Sequence, residues 1–354
     1  MTPELEQSYA DSALPFIGGA ISKENTRMRS WRYFLEVNSV CNLHCPTCTK
    51  GSQEGYDHKT GLMDLDLMDR ILDKIALENP NAIVFLYGNS EPFLHPVLAA
   101  CIRAVKSRGL HPEFSTNLNV VKHVDDVLAA GPDMIIISLS GFTQEVYVKG
   151  HAGGNIERVK ENMRVMAEAN ARIGQKVNIS VNYHVYNDNE HEIEPMREYA
   201  TNLGLGFFTS LARAISMENA IQYCRSKDDY PFQFEVEDNR PDWNHALPPI
   251  GDTYIQAMSR LKIPPTDARK MYEHIPVAPV CPVGAGGMFT FIRHDGKTQM
   301  CACTADRRIT VGDYLDTTPE QMIEQRTGHS FCKQCLHYRT NLYFHIVDRE
   351  KWVP

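Results

Sequence analysis

The chain has 354 residues, of which 43% are hydrophobic and 23% charged, which is enough for a sizeable core and about two domains. Its 36 basic and 44 acidic side chains give a formal net charge of −8 without a basic run, which argues against a nucleic-acid or anionic-membrane surface. The sequence contains neither a long apolar span nor a secretory signal, so we expect a cytoplasmic protein. Ten cysteines are too few for a disulfide scaffold, and clustered cysteines in such a chain more often bind metal.

Short apolar, β-branched segments alternate with amphipathic segments up to Leu211. The predicted strands are Tyr33–Val40, Ala82–Gly88, His111–Asn117, Met134–Gly141, Val177–Val185 and Gly204–Leu211. The predicted helices between them are Leu65–Glu78, Val97–Ser107, Asp125–Ala130, Ile156–Ala171 and His191–Asn202. Six such alternations are typical of a parallel sheet with helices outside it, but an eight-unit barrel needs roughly 250 residues. The predicted fold class is therefore α/β, with a partial (β/α)6 TIM-like barrel that is open on one side.

After Leu211 the alternation stops. Asp228–Trp243 is polar and aromatic and could form a lid over a polar substrate, although such segments are more often exposed connectors. Short helices are predicted at Ile255–Leu261 and Asp267–Glu273, a hairpin around Met288–Met300 with Asp295-Gly296 at its turn, and a helix at Pro319–Gln325. The expected organisation is an N-terminal extension (1–30), the barrel (31–215), a connector (216–280) and a small C-terminal β-hairpin and helix domain (281–354).

The first group of cysteines, Cys41, Cys45 and Cys48, lies directly after the first predicted strand. Three thiolates in a tight loop at the end of a strand can converge on one inorganic centre. A tetrahedral zinc site would require a fourth ligand, such as His44 or a distant side chain. A [4Fe–4S] cluster with three cysteine ligands would instead leave one iron open to a small molecule. The spacing alone leaves both interpretations open.

This cysteine spacing after the first strand of a partial barrel resembles the radical S-adenosylmethionine (radical SAM) superfamily, and the resemblance covers roughly residues 31–211. It implies that Cys41, Cys45 and Cys48 hold a [4Fe–4S] cluster whose open iron binds SAM. It also implies that reductive cleavage of SAM gives a 5′-deoxyadenosyl radical, which abstracts a hydrogen atom from the substrate. A flavodoxin- or ferredoxin-type reductant would supply the electron.

Further positions follow the family pattern in chain order. The segment from Gly88 to Pro92 resembles the Gly-Gly-Glu-Pro element of the family, in which Glu91 is the expected acceptor for the amino group of SAM. Asn89 and Ser90 stand where two glycines are usual, which puts the local backbone geometry in question. The resemblance implies that SAM is bound by this element, the cysteine loop and the ends of strands three to five, at Thr47, Gly88, Asn89, Glu91, Asn117, Ser138, Ser140 and Asn182.

The second group of cysteines lies near the C-terminus and consists of Cys281, Cys301, Cys303, Cys332 and Cys335. Their arrangement resembles the SPASM extension of radical SAM enzymes, in its shorter "twitch" form with one auxiliary [4Fe–4S] cluster. The resemblance implies four ligands, Cys281, Cys301, Cys332 and Cys335, and the spacing from Gly296 favours Cys301 over Cys303. A four-cysteine structural zinc site is the alternative.

The twitch-like unit is similar to that of enzymes that oxidise or epimerise sugars, aminocyclitols and nucleoside-derived metabolites. A fully ligated auxiliary cluster can accept the electron left on a substrate radical, so we expect the oxidation of a small polar metabolite. An epimerase would instead return a hydrogen atom from a thiol, for which Cys224 and Cys303 are candidates, although a packed thiol is the simpler explanation of each. Cys101 lies on the apolar face of a predicted helix and is interpreted as core.

Two other branches of the family are ranked lower. A ribosomal-peptide maturase commonly has a longer segment before its first cysteine motif than the 40 residues that precede Cys41. The molybdopterin-precursor cyclase is expected to have a C-terminal Gly-Gly tail or an equivalent arginine-rich substrate loop, whereas this sequence ends in Lys351-Trp-Val-Pro354. A scaffold that binds iron–sulfur or zinc without SAM chemistry is the non-enzyme alternative, and SAM binding would distinguish it.

Substrate contacts are expected late on strands five and six, because the carboxyl ends of parallel strands face the active site. His184 and Arg213 are the candidate catalytic residues there, with Tyr183 and Lys149 as further contacts. His184 is the better general base because a histidine titrates near pH 7. A hydrogen-bonded core histidine and solvated surface charges are the alternative interpretations.

Overall fold

The computed structural model describes residues 32–49, 51, 60–227, 250–271, 289–301, 304, 306, 309–341 and 343. The predicted lid, Cys281 and Cys303 lie outside these residues. In the described part of the chain, nine strands form one sheet in the order β6-β5-β4-β3-β2-β1-β7-β8-β9. The strands are β1 (Arg32–Leu35), β2 (Ile83–Phe85), β3 (His111–Thr116), β4 (Met134–Leu139), β5 (Asn178–Val185), β6 (Gly206–Leu211), β7 (Phe289–Ile292), β8 (Lys297–Gln299) and β9 (Thr310–Asp313).

Helices follow most of the strands. They are α1 (Leu65–Glu78), α2 (Leu98–Lys106), α3 (Val124–Ala129), α4 (Gln144–Gly150), α5 (Ile156–Arg172), α6 (Ile193–Asn202), α7 (Met217–Lys227), α8 (Asp252–Arg260), α9 (Pro265–Met271), α10 (Pro319–Gly328) and α11 (Ser330–His337). Side chains that cap the first turn fix several helix starts: Asp64 accepts a hydrogen bond from the amide of Leu67, and Asn155 from that of Arg158. No helix among the described residues is long and apolar enough to cross a membrane.

The six strands β1 to β6 are parallel and adjacent in chain order, which confirms the predicted α/β barrel-like sheet. Each predicted strand is present, but several end two to five residues earlier than predicted, because the polar residues after them turn into loops. The helix α4 was not predicted, since its short segment between Thr143 and His151 has no long apolar period.

The predicted hairpin is present as β7 and β8, with Gly296 in the left-handed conformation (φ 80°) that its turn requires. Its first strand pairs in parallel with β1, so the hairpin and β9 extend the sheet of the barrel. A lysine and a glutamate on α1 attach this extension: Lys74 donates to the carbonyl of Thr317 (2.7 Å), and the hydroxyl of Tyr314 donates to Glu78 (2.5 Å). The C-terminal strands are therefore built onto the edge at which the first cysteine loop begins.

Side chains alternate between the two faces of this sheet. One face packs against helices: Tyr33 on β1, for example, donates to Glu78 of α1. The opposite face, which we call the inner face, has two halves. Aromatic side chains occupy it on β2, β1 and β7, at Phe34, Phe85, Tyr87, Phe289 and Phe291. On β3 to β6 this face carries the polar side chains of Ser115, Ser138, Asn182, His184 and Ser210, with the apolar Ile136 and Phe208 among them.

Candidate functional site

The first cysteine group forms a loop that backbone hydrogen bonds hold to three neighbouring segments. One is the segment after β2, where the amide of Glu91 donates to the carbonyl of Val40. The amide of His44 donates to the carbonyl of Ala152 beyond α4, and the amide of Ile215 beyond β6 donates to the carbonyl of Thr47 (both 2.9 Å). The loop closes tightly at Gly51, where a Cβ would lie 2.2 Å from the carbonyl oxygen of Cys45. A side chain at this position would therefore push the loop apart.

The three thiols of this loop are half-buried and interact with one another. Burial raises the pKa of Cys45 well above its usual range, and the charges of Cys48 and Cys41 raise it further. Thiols that repel one another as thiolates need positive charge between them, and iron ligation supplies it. Within the described ranges, no three His, Cys, Asp or Glu side chains are grouped as ligands of one metal ion.

Glu91, after β2, is buried to 1% exposure and joins the ends of three strands. Its carboxylate accepts hydrogen bonds from the amide of Asn117 (2.8 Å), the hydroxyl of Thr116 (2.8 Å) and the amide of Phe93 (3.1 Å). Its own amide donates to the carbonyl of Val40, at the start of the cysteine loop. Burial raises the pKa of Glu91 to about 7, although the three donors act in the opposite direction. Its predicted contact with the amino group of SAM remains a prediction, and the structure adds a role in joining the strands.

The residues around Glu91 suit a ligand at this edge. The side-chain oxygen of Ser90 is buried and has no hydrogen-bond partner among the described residues. Gly88 is required where it stands, because a Cβ there would lie 2.4 Å from the ring of Phe291 on β7. Asn89 is half-buried beside them. Three thiols on one loop and an unpaired hydroxyl next to it are a donor set that fits an iron–sulfur cluster with an attached polar small molecule.

The other predicted SAM contacts lie in two groups. Ser138 on β4 and Asn182 on β5 are partners in the register of the inner face. Ser138 shares a hydrogen bond with Ser115 (2.8 Å), and Asn182 accepts one from Ser210 (2.7 Å). Thr47 lies inside the cysteine loop, with its hydroxyl 3.4 Å from that of Tyr186. The structure thus brings Ser138 and Asn182 together on one face of the sheet, while Thr47 lies in the cysteine loop itself.

A buried histidine at the end of α4 was missed by the sequence analysis. His151 is 5% exposed, its Nδ1 lies 2.8 Å from the hydroxyl of Ser140, and its ring stacks on that of Tyr147. Burial lowers the pKa of His151 to about 4, so it is neutral at pH 7. The ring of His184 lies 6.0 Å away. This pairing has only a weak signal in the sequence, since His151 follows a helix that was not predicted.

A second missed pair lies at the aromatic half of the inner face. Glu36, one residue after β1, and His294, in the β7–β8 turn, approach to 3.3 Å between Oε2 and Nδ1. The ring of His294 packs on Gly61, where a Cβ would lie 2.4 Å from its Nε2. Only the parallel pairing of β7 with β1 brings these residues together, so no local pattern could reveal them.

The two predicted catalytic residues take different positions. His184 is half-buried on β5, beside Ser210 of β6 in the strand register. Arg213 is half-buried two residues beyond β6. Cys224, the candidate hydrogen donor, is fully buried within α7, and burial raises the pKa of its thiol to about 12. Cys101 is fully buried in the core, as predicted.

The described members of the second cysteine group are distributed over two elements. Cys301 follows β8 by two residues, and Cys332 and Cys335 lie one turn apart on α11. Arg326 on α10, the helix before α11, donates from its Nε to the carbonyl of Met300, the residue before Cys301 (2.8 Å). Cys335 is 5% exposed, whereas Cys301 and Cys332 are half-buried.

A buried segment beyond β6, residues 214–218, contacts both cysteine groups. At one side the amide of Ile215 bonds to Thr47, between Cys45 and Cys48. At the other side the Sδ of Met217 accepts a hydrogen bond from the Sγ of Cys335 (3.5 Å). The next residue, Glu218, is fully buried and accepts from the amide of Asp306, five residues after Cys301. We call residues 214–218 the bridging segment.

The chain matches the Radical SAM superfamily over residues 35–200. It is 29% identical over 178 residues to the tungsten-containing aldehyde ferredoxin oxidoreductase cofactor-modifying protein of Pyrococcus furiosus, which is 49% of this chain and 48% of that protein. It is 27% identical over 180 residues to a probable GTP 3′,8-cyclase of Methanococcus maripaludis, which is 50% of this chain and 56% of that protein. The chain thus spans about half the length of these curated relatives.

Among solved structures, native anSMEcpe with bound AdoMet aligns with a TM-score of 0.51 at 13% identity, over 85% of this chain and 83% of that one. Streptococcus suis SuiB bound to the precursor peptide SuiA aligns with a TM-score of 0.50 at 9% identity, over 92% of this chain and 69% of that one. At these identities the similarity shows a shared fold.

Proposed function

Because residues 35–200 form a radical SAM domain, we propose that this chain oxidises a small polar metabolite, such as a sugar, an aminocyclitol or a nucleoside. SAM and the cluster of the cysteine loop would remove a hydrogen atom from a carbinol carbon of the substrate. An auxiliary [4Fe–4S] cluster on the second cysteine group would accept the remaining electron. The bridging segment supports this proposal most strongly, because it contacts both cysteine groups.

Residues at one end of the bridging segment would bind the first cluster and SAM, and residues at the other end would bind the second cluster. Cys41, Cys45 and Cys48 would hold the first cluster, with Ser90 and Glu91 beside the bound SAM. When bound, the cluster and SAM supply the carbon-centred radical that takes the hydrogen atom. Cys301, Cys332, Cys335 and Cys281 would hold the second cluster, as fully cysteine-ligated centres are held in other proteins.

The inner face would orient the substrate. Its polar half, with Ser138 and Asn182, offers hydroxyl and amide groups that suit a hydroxyl-rich ligand, while its aromatic half offers flat apolar surface. His184 would accept the proton of the substrate hydroxyl, and Arg213 would lie near the same end of the sheet. The reaction balances as follows: a hydrogen atom leaves the carbon, a proton leaves the hydroxyl for His184, and one electron passes to the second cluster.

A nucleotide cyclisation is the second candidate, because curated relatives of this chain include probable GTP 3′,8-cyclases. A radical epimerisation is a third outcome, for which a thiol such as Cys224 would return a hydrogen atom. The complete burial of Cys224 favours oxidation over epimerisation.

The test uses the full chain, reconstituted with iron and sulfide without oxygen, in D2O with SAM and a chemical reductant. The substrate panel contains polyols, aminocyclitols, nucleosides and GTP, and mass spectrometry follows both the product and 5′-deoxyadenosine. Oxidation predicts one 5′-deoxyadenosine for each product that has lost two hydrogens and carries no solvent deuterium on carbon. A product that differs from the substrate only by one deuterium in place of a carbon-bound hydrogen would indicate an epimerase. A rearranged product of GTP would indicate a cyclase.

A pair of variants connects this result to the second cysteine group. Replacing both Cys332 and Cys335 with Ala should preserve 5′-deoxyadenosine formation and abolish the oxidised product. The matched control, Cys101→Ala, removes a buried thiol that belongs to neither cysteine group and should leave the product unchanged. Oxidised product from the double variant at the normal yield would contradict the proposed electron acceptor.

A further inference from the structure

The side chain of Asn117, after β3, lies against the first cysteine loop. Its Nδ2 lies 3.0 Å from Oδ1 of Asn42 and 3.8 Å from the Sγ of Cys41. The distance to sulfur is within the usual range for an amide donor, since sulfur is larger than oxygen. Asn117 therefore contacts the loop directly beside its first cysteine.

The hydrogen bonds around Asn117 fix which end of its amide faces the sulfur. The Oδ1 of Asn117 accepts from the backbone amide of Asn119 (2.9 Å), a donor that cannot be reversed. The backbone amide of Asn117 donates to the buried carboxylate of Glu91 (2.8 Å) and anchors the residue. Because the oxygen must face Asn119, the NH2 group must face Asn42 and Cys41. The NH2 group of Asn117 is thus directed at the cysteine loop, where Oδ1 of Asn42 and the Sγ of Cys41 share it.

We propose that Asn117 is a positioning residue that donates a hydrogen bond to the sulfur of Cys41 and thereby raises the reduction potential of the cluster held there. A donor to a ligating sulfur stabilises the extra negative charge of the reduced cluster, and such bonds help to set cluster potentials. The family resemblance implies that Asn117 contacts SAM. The proposal instead assigns its side chain to the cluster. The inference depends on the first cluster and is independent of the substrate and of the second cluster.

Two substitutions test the donor itself. Asn117→Ala removes the NH2 group, and Asn117→Asp also places a carboxylate beside the thiolate. We expect the midpoint potential of the SAM-binding cluster, measured by EPR-monitored titration without SAM, to shift to lower values in both variants, and further in Asn117→Asp. Asn170→Asp is the matched control. The buried side-chain amide of Asn170 donates to the carbonyl of Val177, so this substitution also replaces a buried amide donor with a carboxylate, but outside the cysteine loop. Its potential should equal that of the wild type.

A third substitution predicts a shift of the opposite sign and remains informative if the Asn117 variants do not fold. Asn42→Ala removes the oxygen that competes for the amide of Asn117, so the NH2 group is left to Cys41 and the potential should rise. Unchanged potentials in the SAM-free Asn117 variants, together with weaker SAM binding, would overturn the inference and return Asn117 to a SAM contact. A potential that does not rise in Asn42→Ala would also count against it.

Discussion

The two cysteine groups are held in different ways. The loop of Cys41 to Cys48 sits on the ends of parallel strands, and backbone bonds from beyond β2, α4 and β6 fix it. Cys301 follows the strand extension, and Cys332 and Cys335 lie on α11. Side chains from other helices contact each part: Arg326 of α10 bonds to Met300, and Met217 of α7 bonds to Cys335. The first group is therefore one short chain segment fixed by backbone hydrogen bonds, whereas the members of the second group come from separate parts of the chain and depend on side-chain contacts.

Removing a ligand of the first loop should have the largest effect. Cys45→Ala is expected to abolish 5′-deoxyadenosine formation and to lower the iron content from about eight to about four per chain, because one of two [4Fe–4S] clusters is lost. Anaerobic reconstitution followed by iron analysis and product analysis measures both. Cys101→Ala should retain both, and SAM cleavage by Cys45→Ala would contradict the assignment of the loop.

Removing ligands of the second group should separate SAM cleavage from substrate oxidation. We expect the double Cys332→Ala and Cys335→Ala variant to lose about four iron per chain while it keeps the EPR change that SAM induces at the first cluster. The physical reason is that the backbone bonds of the first loop do not involve α11. Loss of the SAM-induced change in this variant would show that the two sites are not separable.

Glu91 should impose a pH dependence on the stability of the ligand-free barrel. Its pKa is about 7 in the folded chain, against about 4.3 in an unfolded one. A pKa that is raised by folding gives stability that is present below the unfolded value and lost as the pH rises through the folded value. The free energy of unfolding should therefore fall by about 3 kcal/mol between pH 4 and pH 8, relative to a variant that cannot ionise.

Chemical denaturation of the wild type and of Glu91→Gln at several pH values measures this difference. Glu145→Gln in the first turn of α4 is the control, since it removes a charge from an exposed side chain. Parallel pH profiles for the wild type and Glu91→Gln would show that Glu91 titrates normally in the folded chain.

Ser90 should give the smallest effect. Its buried hydroxyl has no hydrogen-bond partner in the part of the chain that the structure describes. We therefore expect it to bond to SAM, and Ser90→Ala should weaken SAM binding about two- to tenfold. Equilibrium binding of SAM to the reconstituted enzyme measures this. Unchanged affinity would mean that the hydroxyl faces no part of the ligand.

The same contrast explains what the sequence could reveal. The six parallel strands, the helix Leu65–Glu78 and the first cysteine loop depend on local periodicity and spacing, and all were predicted from sequence. The pairing of β7 with β1 joins segments more than 250 residues apart, so the Glu36–His294 contact could not be predicted. The hydrogen bonds of Glu91 and Asn117 depend on the exact ends of β2 and β3, which periodicity does not define. The bridging segment was missed for the same reason, because its partners come from three separate parts of the chain.

The central proposal is that this chain binds two clusters, one at each end of the bridging segment. Its most direct test is an iron and sulfide count combined with EPR, on anaerobically reconstituted protein with and without SAM. We expect about eight iron per chain and two reduced signals, of which one changes when SAM is added. About four iron, with zinc in the second cysteine group and a single signal, would contradict it and remove the proposed electron acceptor.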